Sequence, residues 1–112
     1  FRGVSMDAGT AFEVGFMRAL GRPVLGYTNA AAGLTPRAHA YRAGQRAVGD
    51  CDRPGYEVED FDLAENLMIE IAIRESGFEV VRVAVAGDDP MAALDGFGVC
   101  LAQARAALLS AR

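Results

Sequence analysis

Asp7-Ala-Gly-Thr-Ala-Phe-Glu13-Val-Gly15, almost at the start of this 112-residue chain, reads as a helix N-terminus built to hold charge. Thr10 is a good N-cap residue, and Glu13 stands three positions on, at the capping-box spacing. The helix expected over 11–20 is apolar on nearly every side, with only Glu13 and Arg18 interrupting Ala11, Phe12, Val14, Phe16, Met17, Ala19 and Leu20. Such a helix is normally buried, so a carboxylate in its first turn is either a cap or a working group. Gly9 and Gly15 leave room for close approach to the backbone. Asp7 lies six residues before Glu13, and the two carboxylates are expected to converge on one pocket above the helix end.

Downstream, the punctuation is regular. Gly21 is the natural stop for the first helix, and 23–28 reads as a short buried strand with Pro23 where a missing N–H is tolerated. Tyr27, Thr28 and Asn29 fall at its C-terminal end, the edge where open α/β sheets bind ligands. Thr35-Pro36 makes a cap and first-position pair for a short helix to about residue 43, which Gly44 and the 49–55 stretch then break. Arg37, His39, Tyr41, Arg42 and Arg46 give that segment a positive character, as either a mobile flap or a solvated surface helix. Asp62 and Glu65 repeat the capping spacing before a helix expected over 63–76. Its stripe is Leu63, Leu67 and Ile71, and Glu70 and Arg74 form an i,i+4 pair on the outer face. Gly77 ends it. Residues 78–85 are the clearest strand, 87–90 a turn, and 91–110 a last helix with Leu94, Phe97, Leu101, Ala104 and Leu108 inward. The order helix, strand, helix, helix, strand, helix predicts parallel strands. Two strands are too few for a sheet covered on both faces, so further strands are expected from outside these 112 residues.

The composition narrows the functions. At 52% hydrophobic and 23% charged residues, a packed core in a single domain is expected. A net charge of −4 with no basic run argues against a nucleic-acid partner. All basic side chains but His39 are arginine. Cys51 and Cys100 lack metal-ligand spacing, and one histidine cannot complete a zinc site, so no metal or other cofactor is expected and both thiols are read as reduced in a cytoplasmic protein. No apolar stretch approaches membrane length and no signal peptide is recognisable.

Asp7-x-Gly-Thr-Ala-Phe-Glu13-Val-Gly15-Phe-Met-Arg-Ala-Leu-Gly-Arg-Pro-Val24 resembles the active-site segment of the nucleoside 2-deoxyribosyltransferase family. A second match, Glu59-Asp-Phe-Asp-Leu-Ala-Glu-Asn66-Leu-Met68-Ile, follows in the right order, and the resemblance covers about residues 1–75. It implies a flavodoxin/Rossmann-like α/β fold, a parallel sheet with helices on both faces, of which this chain is the C-terminal part. The strand-helix-strand segment that precedes the motif in family members, with a further aspartate, is expected to be missing here. The resemblance makes Glu13 the nucleophile that cleaves an N-glycosidic bond through a covalent glutamyl-sugar intermediate, with Asp7 orienting the base or assisting its protonation. Gly9, Thr10, Asn66 and Met68 become substrate-binding residues. Asn66 and Met68 then reach the site of a neighbouring subunit, in a homodimer or higher homo-oligomer with shared sites. The implied substrates are a nucleoside and a free base. Related hydrolases of 2'-deoxynucleoside 5'-phosphates look to carry Ser where this chain has Asp7, and a carboxylate there repels a phosphate dianion. Hydrolysis and binding without turnover are the alternatives.

Overall fold

The computed structural model describes residues 4–46, 58–85, 89 and 92–110. Their order is α1 (Ala8–Ala19), β1 (Tyr27–Thr28), α2 (Leu34–Arg46), α3 (Leu67–Glu75), β2 (Val81–Arg82) and α4 (Asp95–Ser110). The two strands pair in parallel, Tyr27 opposite Val81 and Thr28 opposite Arg82. Val81 and Val83 donate their N–H groups to the carbonyls of Gly26 and Thr28. The fold is thus α/β with the expected element order and strand direction. A two-stranded sheet is compatible with a Rossmann-like fold but too small to establish one.

Alternation along β1 places helices on opposite sides of it. A Cβ built on Gly26 would lie 2.8 Å from Ile73 Cδ1 in α3, whereas one built on Gly96 in α4 would lie 2.6 Å from Tyr27 Cδ2. Tyr27 also meets Phe97, with ring centroids 6.3 Å apart. Helix α1 packs on α3. Both helices stop in the same way. After α1 the N–H of Gly21 reaches the Arg18 carbonyl and that of Arg22 the Met17 carbonyl. After α3, Gly77 reaches Arg74 and Phe78 reaches Ile73. These are Schellman closures with glycine in the left-handed conformation, φ 65° and 93°.

The helix starts differ from the sequence reading. Helix α1 begins at Ala8, and Asp7, not Thr10, is its cap: the Asp7 carboxylate accepts from the Thr10 N–H at 3.0 Å. Asp and Thr both suit an N-cap, and here the earlier residue prevails. Glu13 therefore lies in the second turn, closes no capping box and sits beyond the reach of the helix dipole, which fades after the first turn. Only Val14 of α1 is buried, while Phe12, Phe16, Met17 and Leu20 are exposed. Thr35 and Pro36 lie inside α2, which continues past Gly44, and the Thr35 hydroxyl donates to the Glu59 carbonyl instead of capping. Helix α3 starts at Leu67 under Asn66, not at 63 under Asp62, which is left-handed at φ 54°. Its buried residues are Glu70 and Ile73, so the Glu70–Arg74 pair, 3.1 Å apart, has its carboxylate in the core and Ile71 is exposed. Helix α4 starts at Asp95, not 91. It turns Gly96 and Cys100 inward, and Leu94, Phe97, Leu101 and Leu108 are exposed. The smallest side chains allow the closest approach to β1, while Phe97 meets Tyr27 from an exposed position. Cys100 is a free, buried thiol whose pKa burial pushes up. Cys51 and the 49–55 stretch lie outside the described residues, as do all but Asp89 of the 87–90 turn.

Candidate active site

Parallel strands bring their C-terminal ends, and the starts of the helices around them, to one edge. At that edge stand Thr28 and Asn29, both buried, the segment leading into α1 and the segment leading into α3. Asn29 Nδ2 donates to the Ala93 carbonyl at 2.9 Å, which ties the strand end to the approach to α4. Behind Thr10 a small cleft of about 180 Å³ is lined by Met6, Thr10, Val14, Leu25, Tyr27 and Ile73 among others. Neither acidic residue of the motif lines it.

Asp7 is exposed and accepts twice from Thr10, at Oδ1 from the N–H (3.0 Å) and at Oδ2 from the hydroxyl (2.6 Å). The hydroxyl bond, followed by the backbone bond, holds its carboxyl below the ordinary 3.8. Gly9 packs under the same carboxylate: a Cβ there would stand 3.0 Å from Asp7 Oδ1. Thr10 and Gly9 are therefore joined to Asp7. Glu13 lies three and four positions beyond them, neighbours on the helix surface. It is exposed and has no hydrogen-bond or ion-pair partner among the described residues. From Asp7 to Glu13 the helix turns through about 600° and climbs about 9 Å, which sets them on different faces. The convergence expected of them is not built into α1 itself.

Asn66 caps α3. Its Oδ1 accepts from the Met68 N–H at 3.0 Å, and its Nδ2 donates to Glu59 Oε2 at 3.1 Å, which also accepts from the Leu67 N–H. Met68, next in that turn, is 76% exposed.

The two motifs are joined by residues that the sequence reading passed over. Glu65, which the sequence offers as the second half of a capping pair with Asp62, is 1% exposed. Its Oε1 accepts from the Ser5 hydroxyl at 2.7 Å and the Asn66 N–H at 3.0 Å, and its Oε2 from the Met6 N–H at 2.8 Å. Arg37, in the segment expected to be a mobile flap or a solvated surface helix, has a largely buried side chain that packs 4.0 Å from that carboxylate. Arg37 donates to the carbonyls of Val4, Ala32 and Ala64. Burial lowers its pKa, Glu65 raises it and Arg82 lowers it again. No local spacing betrays such a pair, because its partners come from three separate segments. His39 and Tyr41 are exposed. Among the described residues no group of His, Cys, Asp or Glu could hold a metal ion, and no helix is long and apolar enough to cross a membrane.

An uncharacterized protein of Schizosaccharomyces pombe is 33% identical over 90 residues, covering 68% of this chain and 42% of that relative. The chain thus spans under half of the relative's length. No solved structure matches. The family model of nucleoside 2-deoxyribosyltransferases matches residues 1–68, from before the Asp7 cap through Glu13, Asn66 and Met68. With both helix starts inside that match, the chain belongs to the nucleoside 2-deoxyribosyltransferase family.

Proposed function

We propose that the chain moves 2-deoxyribose between nucleobases, with Glu13 as nucleophile. The observation that carries the reading is an exposed carboxylate at Glu13 with no partner among the described residues, one turn beyond a helix start whose neighbouring acid is already committed to a cap. A carboxylate beneath the anomeric carbon stabilises an oxocarbenium-like transition state and can attack it. Glu13 adds to C1′ as the C1′–N bond breaks and its electron pair leaves with the base, which takes up a proton. A nitrogen lone pair of the second base then attacks C1′, expels Glu13 and loses its proton. Two inversions retain the configuration. Asp7, held ionised by Thr10, is an acceptor and not a proton donor, which favours a role in orienting the base through its N–H groups. The proton for the leaving base then comes from another group. The same fixed charge opposes a phosphate dianion, so free nucleosides are favoured over 5'-phosphates.

The pair of strands fits as part of a larger flavodoxin/Rossmann-like sheet in a single domain. Exposed Phe12, Phe16 and Met17 on α1, Leu20 at its C-cap, and Met68 and Ile71 on α3 support a homo-oligomer in which Met68 reaches a neighbour's site. Asn66 reaches it only by yielding the bonds that cap its own helix.

Given a 2-deoxynucleoside and a second free base, the protein is expected to form the new nucleoside faster than free deoxyribose, and folded Glu13→Gln is expected to form neither. Base exchange by Glu13→Gln at the parent rate contradicts the assignment. Free sugar phosphate as sole product, from a 5'-phosphorylated substrate, places the protein among the hydrolases.

A further inference from the structure

We propose that Glu65 is a positioning residue, a clasp whose single carboxylate sets the two helix starts of the site against each other. The proposal rests on the reading of the site given above. Ser5 and Met6, which donate to Glu65, directly precede Asp7, the cap of α1; Asn66, which also donates to it, is the cap of α3. One rigid group therefore fixes the approach to both caps. A buried carboxylate is costly unless its lone pairs are filled. Here three donors fill them, at 2.7, 2.8 and 3.0 Å, and Arg37 supplies positive charge nearby. Arg37 repeats the pattern with opposite polarity, binding the carbonyls of Val4 and Ala64 on the same two segments. Glu70 secures the second segment from beneath, accepting from the N–H groups of Ala64 (2.7 Å) and Glu65 (3.3 Å). Two buried carboxylates thus hold the 64–66 segment, and only Glu65 also reaches the chain before α1. A side chain serving the core alone would have no need to take its donors from the residues next to both caps.

Glu65→Gln keeps the volume but turns an N–H₂ group toward donors, so one side of the clasp must open. The test measures Glu65→Gln and the parent well below both melting temperatures, by kcat and KM for base exchange and by amide hydrogen exchange. The expected result is a fall in kcat of about tenfold or more, with the cap amides of Thr10 and Met68 exchanging faster together while those of Ile73 and Cys100 hold. Ser5→Ala, which removes one neutral donor, covers the case in which Glu65→Gln does not fold; it should show the same paired response with a fall of about threefold. Caps that exchange as in the parent, or a folded Glu65→Gln with kcat and KM within twofold of the parent, overturn the proposal. A parent with no exchange or hydrolysis overturns the reading of the site instead, and the paired response of the two caps still decides whether the clasp exists.

Discussion

Asp7 and Glu13 stand in different settings, the first bonded to Thr10 and the second exposed with no partner among the described residues. Asp7 is fixed by Thr10 and its carboxyl is held below 3.8, so its ionised form favours the folded state. That contribution is whole above 3.8 and disappears as pH falls through the lowered value. The parent's melting temperature should therefore drop on acidification through this range, and Asp7→Asn, which keeps an N-cap acceptor, should lose that part of the drop. An equal acid sensitivity in both proteins would contradict the cap assignment. Asp7→Asn should also weaken base exchange while leaving the Glu13 attack possible, seen as residual activity in Asp7→Asn but none in Glu13→Gln. The motif is visible in the sequence but not which residue caps the helix, because Asp7 and Thr10 are both N-cap types and only the folded backbone chooses. The Arg37–Glu65 contact was still less visible: its members lie in segments that meet only in three dimensions, and each looks like surface when read locally.

Helix ends explain why the stops of α1 and α3 agree with the sequence and their starts do not, while α2 runs on past Gly44. A left-handed C-terminal closure all but requires glycine, so Gly21 and Gly77 announce themselves. N-caps are shared among four residue types, and each predicted start had a rival within a few positions. For α3 the rival that prevailed was Asn66 over Asp62. Asn66→Ala should destabilise the protein by about 1 kcal/mol through the lost cap, measured by denaturant unfolding; no change would mean that Glu59 alone caps α3. The inner face of α4 was misread for another reason. That helix is apolar around most of its girth, so periodicity carries little information, and Gly96 decides the face by letting Tyr27 approach. A Cβ at 96 would meet three Tyr27 atoms within about 3.1 Å. Gly96→Val should accordingly cost about 1–3 kcal/mol by overpacking, with Gly98→Ala, where nothing lies within 4 Å, as the mild control.

Across the whole molecule, the apolar residues of α1 and α3 that no described part of the chain covers lie on the two helices that carry the motif. Sharing of sites between copies is tested by mixing two inactive proteins, Glu13→Ala and Asn66→Ala, under subunit exchange. If Asn66 and Met68 serve a neighbour, the mixed assembly has one site with both defects and one with neither, and activity returns. Mixed assemblies without activity would place Asn66 within its own chain, where its capping bonds already hold it.

The most direct test of Glu13 as the sugar's carrier is the mass of the intact protein, quenched during turnover of a 2-deoxynucleoside with no second base present. The parent should gain the mass of one deoxyribosyl group, borne by the peptide that contains Glu13, and Glu13→Gln should gain none. An adduct on any other residue, or turnover of the nucleoside by a folded Glu13→Gln protein, would contradict it.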